Sequence, residues 1–260
     1  MEKSLLTILF FFCFSSLALG CSCADIIYTI NDKYILSDFV GTIKITSTEE
    51  IPNSTAERVY IANIKPLAVF KGEAPLSLRV SGTKSGMNWG ASCELSVNAG
   101  EEWLVAISKN NLNYFPLNYC SFAGRLKSSD GKNTSRGGHW QAIKHFQFLN
   151  QKVPNLHRDY MLRESSGKIS KYLDQFDGQS FDRESAHYII TFDENLSIKT
   201  VEVLKGFHSE FDKNFISFLK QQTRWEKENP QYETTPVTDG TKHIVGIFYY
   251  EEEKKFLSRF

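Results

Sequence analysis

The chain has 260 residues, with 30 Lys plus Arg against 30 Asp plus Glu, a formal net charge of zero and 41% hydrophobic residues. That balance leaves no net field to recruit nucleic acid or an anionic membrane surface. The length suffices for two modest domains, each with its own core.

Residues 1–20 read as a cleavable secretory signal. Glu2 and Lys3 give a short charged start, an apolar run follows from Leu5 to Leu19, and Ala18-Leu19-Gly20 supplies the small-x-small end. The run falls short of the roughly 20 residues a membrane-crossing helix needs, so no transmembrane span is expected. Cleavage after Gly20 makes Cys21 the mature N-terminus of a secreted, periplasmic or extracellular protein. A cell-envelope lipoprotein acylated on Cys21 is the alternative, with Ala18 and Leu19 in reverse of the usual lipobox order.

Cleavage also removes Cys13 and leaves Cys21, Cys23, Cys93 and Cys120. An even number of cysteines in an exported protein reads as two disulfides. Sequence alone permits three pairings, and no CxxC or Cys/His spacing points to structural zinc.

From Phe39 to Ile107 apolar residues fall in short runs: Phe39-Val40, Ile43 and Ile45; Val59, Ile61 and Leu67 to Phe70; Leu76, Leu78 and Val80; Trp103 to Ile107. Glycines and prolines interrupt them at Gly41, Pro52, Pro66, Gly72, Pro75, Gly82 and Gly100. This is the pattern of several short strands in a β sandwich or barrel.

Residues 127–182 read as a linker with a helix. Lys127 to Gly138 is almost wholly polar, and Trp140, Ile143, Phe146 and Leu149 then recur every third residue. Residues 183–250 read as a second domain in the order β-β-α-β: a strand from Tyr188 to Phe192, a turn at Asp193-Glu194-Asn195, a strand through Ile198, Val201 and Val203, a helix, and a last strand from His243 to Tyr250. Ser209 and Asp212 have capping-box spacing, and Phe211, Phe215, Phe218 and Leu219 line one helix face. Residues 251–260 read as a charged, solvated tail.

A search for catalytic chemistry yields little. His139, His145, His157, His187, His208 and His243 form no i, i+4 pair, and HExxH, GxSxG and phosphate-loop patterns do not occur. Each histidine reads as a surface or packed residue, and neither an enzyme nor a cofactor is expected. The Cys21-Ser22-Cys23 terminus differs. The α-amine and carbonyl oxygen of one residue form a five-membered chelate ring, which can take the open coordination position of a catalytic zinc. Disulfides at both cysteines would make such a terminus rigid and lower the ordering cost of binding.

The mature Cys21-Ser22-Cys23, Asp38-Phe39-Val40-Gly41-Thr42, Val69-Phe70-Lys71-Gly72, Trp89-Gly90-Ala91-Ser92-Cys93, Glu101-Glu102-Trp103-Leu104-Val105 and Tyr119-Cys120-Ser121-Phe122 follow one another in a telling order. In that order residues 21–126 resemble the netrin-like N-terminal domain of the tissue inhibitors of metalloproteinases. The resemblance implies an OB-fold-like five-stranded barrel with flanking helices, and disulfides Cys21 to Cys93 and Cys23 to Cys120. It implies a zinc metalloendopeptidase as partner, with the Cys21 amine and carbonyl on its zinc and Ser22 in its specificity pocket. Cys23 then clamps the terminus, and Ala91 and Ser92 form a flanking ridge beside Cys93. The family's third disulfide in this domain and its disulfide-rich second half have no counterpart.

The C-terminal section carries a second resemblance, through Phe192-Asp193-Glu194-Asn195, Val201-Glu202-Val203-Leu204-Lys205-Gly206, an amphipathic helix, Trp225 and a strand after Asp239-Gly240. It is similar to the C-terminal domain of TonB-type energy transducers. That resemblance implies a Gram-negative envelope and a small docking module for an envelope protein. The expectation is therefore a mainly β protein with an α+β second domain, acting as a metalloproteinase inhibitor; the alternative is a non-inhibitory binding module of the cell envelope.

Overall fold

The computed structural model describes residues 23, 29–51, 59–82, 95–134, 137–228, 235–251 and 255–259. The signal segment 1–20, Cys21, Ser22, Ala91, Ser92 and Cys93 lie outside these described residues.

The first element is a short helix that the sequence reading did not anticipate, α1 (Ile30–Leu36). Thr29 caps it: its Oγ1 accepts from the Asp32 N–H at 3.2 Å, and Asp32 Oδ2 accepts from the Thr29 N–H at 3.1 Å. This reciprocal pair satisfies two otherwise orphaned donors of the first turn. Ile30, Tyr34 and Ile35 are buried, so the helix gains its stability from packing rather than from its length.

Strands β1 (Phe39–Glu50), β2 (Val59–Lys71), β3 (Ser77–Ser81), β4 (Glu102–Ile107), β5 (Pro116–Leu117) and β6 (Phe122–Lys127) form one curled sheet in the order β5-β3-β2-β1-β4-β6. All neighbours are antiparallel except the two-residue β5, which runs parallel to β3. The register of β1 on β2 shifts at Val40/Gly41, Thr42/Ile43 and Ile45/Ser47, and such bulges bend and coil a strand pair. Pro66 sits opposite Ile43 beside one of these shifts, a place where its missing N–H is tolerated. The resemblance implies five strands; the sheet has six, and no pairing closes it into a barrel among the described residues.

This sheet is covered on both faces. Phe39, Ile43, Ile45, Trp103, Val105 and Ile107 fill the concave core, while Val40, Leu104 and Ala106 face outward into a second cluster. That explains why Trp103 to Ile107 is a continuous apolar run: in a strand buried on both sides, alternation has no polar partner.

The outer cluster is built around α2 (Gly137–Lys152). Its Ile143, Phe146 and Leu149 join Ile30, Tyr34, Phe70 and Leu126, and also Ile244 from the C-terminal half. Trp140 does not follow them and is 42% exposed. A spacing of three falls short of the roughly 3.6 residues of a helical turn, so four successive positions drift around the axis and cannot share one face.

The rest of the segment read as a linker is built into the fold. Strand β7 (Met161–Glu164) is followed by helix α3 (Lys168–Leu173) and a single turn of 3-10 helix at Asp174–Phe176. Next come β8 (Ser185–Phe192), β9 (Ile198–Lys205), helix α4 (Ser209–Gln222), β10 (Trp225–Glu228), β11 (Lys242–Tyr250) and β12 (Phe256–Arg259). β7 pairs with β10 as a two-stranded ribbon, and the other four make a sheet in the order β12-β11-β8-β9. The tail expected to be solvated thus contributes an edge strand, with Leu257 only 5% exposed. Tyr188, Ile190, Phe192, Val245 and Ile247 pack against Phe211, Phe215, Phe218 and Leu219 of α4, joined by Tyr160, Leu162, Ile169 and Leu173.

One local expectation is corrected. The N-cap of α4 is His208, whose Nδ1 accepts from the Phe211 N–H at 3.2 Å. Asp212 is not the reciprocal member of a capping box. Its Oδ1 takes the Tyr188 hydroxyl at 2.6 Å and the Phe207 N–H at 3.1 Å, tying the helix to β8 and to the turn before it.

Candidate functional site at the disulfide-anchored terminus

Cys23 and Cys120 form a disulfide, with Cα atoms 5.4 Å apart and a sequence separation of 97. Cys120 lies in the turn that joins β5 to β6. Asn118 shapes that turn: its Oδ1 accepts from the Cys120 N–H at 2.9 Å, its N–H donates to Ser121 Oγ at 3.0 Å, and its carbonyl accepts from the Ser121 N–H. Since β5 pairs with β3 and β6 pairs with β4, the bridge fastens Cys23 to a point held from both sides of the sheet. Cys23 is two residues from the expected mature N-terminus.

A cleft of about 640 Å³ is lined by Cys120 together with Lys33, Asp38, Lys109, Ser121, His157 and Asp159. Asp38 Oδ2 accepts from the Lys109 N–H at 2.8 Å, which ties the loop after β4 to the entry of β1. Of the predicted target-contacting residues, Cys23 alone is described, and the expected Cys21–Cys93 bridge lies outside the described residues.

Several residues that carry the netrin-like resemblance have structural duties here. Lys71 is buried, 7% exposed, and its Nζ donates to the carbonyls of Tyr34 at 2.7 Å and Ile35 at 2.8 Å. It therefore caps the C-terminal end of α1, where the helix dipole favours a cation. Burial pulls its ammonium down to about 8, partly opposed by nearby Asp38. Gly72 has φ +70°, and a Cβ there would stand 1.8 Å from the Asp38 carbonyl oxygen, so only glycine fits. Glu101, 1% exposed, accepts from Trp103 Nε1 at 2.9 Å, from the Asn98 N–H at 3.1 Å and from Arg125 at 2.9 Å.

A second polar group, unforeseen in sequence, lies where α1 and α2 meet the C-terminal sheet. Arg158, 6% exposed, faces Asp32 at 3.6 Å and donates from Nη1 to the Lys242 carbonyl at 3.1 Å. His243 Nδ1 is 3.9 Å from the same Asp32 oxygen. Next to this pair, His145 Nε2 contacts Asn31 Oδ1 at 2.7 Å, and its ring lies 4.8 Å from that of His187. Burial, helped by Lys205, pulls His145 down to about 3; burial, then His145 and Lys205, pulls His187 down to about 2. Both rings are therefore neutral over the physiological range.

Among the described residues no group of three or more His, Cys, Asp or Glu is placed to hold a metal, and no helix is long and apolar enough to cross a membrane. No protein-family model matches the chain, and no match to it was found among curated proteins. The functional reading therefore rests on the residues themselves.

Proposed function

We propose that the chain is an exported inhibitor of zinc metalloendopeptidases, built on an OB-fold-like netrin-type barrel with a TonB-like C-terminal module. The α-amine and carbonyl of Cys21 chelate the protease zinc and displace its attacking water. Ser22 enters the specificity pocket, and Ala91 and Ser92 flank it beside Cys93.

The observation that carries this reading is the Cys23–Cys120 bridge. It fixes the residue two places after the expected terminus to a turn anchored by two sheet strands, and a pre-organised terminus loses little freedom on binding. The pairing is also the one the resemblance implies for these two cysteines.

The test is inhibition of a panel of zinc endopeptidases by the secreted protein. Slow-dissociating, active-site-directed inhibition of at least one is expected, weakened by Ser22→Gly because that change removes pocket contacts and keeps the chelate. If the native protein leaves every protease fully active, the inhibitor reading fails.

A second reading is a docking module of the cell envelope. β9 is an edge strand paired only with β8 among the described residues, and Lys199, Thr200, Glu202 and Val203 on it are exposed. An open edge can accept a partner's strand. A lipoprotein acylated at Cys21 would use this surface and could not use the amine, so the intact mass of the exported protein separates the two readings.

A further inference from the structure

A cleft of about 580 Å³ opens between α2 and the end of the C-terminal sheet, remote in sequence from the disulfide turn. Its size falls within the ~300–1,000 Å³ of small-molecule pockets. His145 of α2 and His187 of β8 line it, 4% and 2% exposed. Phe148 stands 4.6 Å from the His187 ring, and Phe248 stands 5.5 Å from His145 and 5.7 Å from His187, all measured between ring centres.

Three buried polar atoms on residues of this cleft have no hydrogen-bond partner among the described residues: His145 Nδ1, His187 Nδ1 and the Tyr249 hydroxyl. Native interiors rarely leave buried polar atoms unsatisfied, and a cluster of them calls for an explanation. Lys205 enters from β9. Its Nζ donates to Ser185 Oγ at 3.0 Å, no carboxylate lies within ion-pair distance of it among the described residues, and its charge is felt by both imidazoles. An aromatic wall, an ammonium hydrogen-bonded to a hydroxyl with no ion-pair partner among the described residues, and neighbouring imidazole nitrogens together suit one kind of ligand.

We propose that this cleft binds a small organic oxyanion with a flat apolar body, its carboxylate or phosphate between Lys205 and the His145–His187 pair and its ring against Phe148 and Phe248. The site is independent of the inhibitor reading, since it uses no residue of the disulfide-anchored terminus.

Binding is coupled to a proton. When His145 donates from Nε2 to Asn31, its Nδ1 is an acceptor and repels an oxyanion; a proton on Nδ1 turns it into a donor. The charged groups around the imidazoles are Lys144 on α2 and Lys205 on β9, with Asp182, Arg183, Glu184 and Glu251 at the exposed rim. Tyr249 and Tyr250 of β11 complete the titratable set in the cleft, and Asp32 of α1 is engaged by Arg158. Burial is the main cause that holds both rings neutral, and the Lys205 charge adds to it. An anion placed beside Lys205 offsets that added charge, and so raises their proton affinity.

The experiment titrates the full mature chain with benzoate, phenyl phosphate and, as neutral control, benzamide, at pH 5.5 and 7.5. Calorimetry in buffers of different ionisation enthalpy counts the protons taken up. Expected results are saturable binding of at least one anion, about tenfold tighter or more at pH 5.5, with proton uptake, and no comparable binding of benzamide. Lys205→Met should weaken that binding about tenfold or more and Lys205→Arg should retain it, with thermal unfolding verifying each fold. Whether benzoate or phenyl phosphate binds better identifies the head group. Imidazole resonances of His145 and His187 that shift on titration of the native chain locate the site even if the Lys205→Met protein does not fold. Absence of saturable anion binding, equal binding of benzamide, or a folded Lys205→Met protein that binds like the native one would overturn the proposal.

Discussion

Acidification should weaken this fold through two identified side chains. His145 and His187 are 4% and 2% exposed, and their folded-state values lie at about 3 and about 2, against 6.5 for the ordinary imidazole. With folded values depressed, the unfolded chain binds more protons than the folded one below pH 6.5. The stabilisation from keeping these rings neutral is thus complete above pH 6.5 and lost as the pH falls toward the folded values. Each histidine contributes about 1.4 kcal/mol per pH unit in that window, so lowering the pH from 6.5 to 5 removes about 2 kcal/mol per ring, or about 4 kcal/mol for the pair. The assay is urea unfolding followed by tryptophan fluorescence at pH 7.5 and pH 5. The comparison protein carries His145→Gln, which can still donate to Asn31 Oδ1, and His187→Phe, which keeps an aromatic ring between Phe148 and Phe248. This double variant should lose about 4 kcal/mol less than the native chain between the two pH values. Equal acid sensitivity of the two proteins would refute the argument.

Glu101→Ala leaves Trp103 Nε1, the Asn98 N–H and Arg125 without their acceptor, and should cost about 3 kcal/mol in chemical denaturation; a loss under about 1 kcal/mol means the hub is not needed. Non-reducing peptide mapping should recover Cys21 joined to Cys93 together with Cys23 joined to Cys120, whereas Cys93 joined to Cys120 would sever the link to the inhibitor-like terminus. Removing the Cys23–Cys120 bridge by Cys23→Ser should cost about 4–5 kcal/mol in the chain-entropy account, given the 97-residue separation. A fragment of residues 183–250 should lack a cooperative thermal transition, because Tyr160, Leu162, Ile169, Leu173 and Leu257 of its core lie outside it; a sharp transition would show that these residues are dispensable.

What was legible in the sequence followed from periodicity. The long strands β1 and β2, the apolar β4 and β8 and the phenylalanine face of α4 announce themselves because burial selects residue types at fixed spacing. Strand β10, Trp225-Glu226-Lys227-Glu228, has only Trp225 buried and forms because β7 supplies its ladder partners, which no local pattern reveals. Strand β12 is hidden in the same way behind the charges of Glu251 to Lys255. Helix α1 did carry a signal, Thr29 three residues before Asp32 with Ile30, Tyr34 and Ile35 apolar, but seven residues make too short a window for helical period to stand out. The polar group where α1 and α2 meet the C-terminal sheet was invisible for a different reason. Asn31 and His145 are 114 positions apart, and Asp32, Arg158, His187 and His243 meet only through the packing of α1 and α2 on the C-terminal sheet. Read singly, each of these histidines was a surface or packed residue, and nothing in the chain order says that two of them share a cleft.

The central claim is that the α-amine of Cys21 is a zinc ligand, and a nitrogen lone pair reaches the metal only when it is neither protonated nor acylated. The direct measurement compares inhibition of one susceptible zinc endopeptidase by the native protein and by a form carrying a single alanine before Cys21, with the Cys23–Cys120 bridge verified in both. The account predicts that the extension abolishes inhibition, because the amine becomes an amide while the disulfide-anchored fold persists. An extended protein that inhibits as strongly as the native one would contradict it.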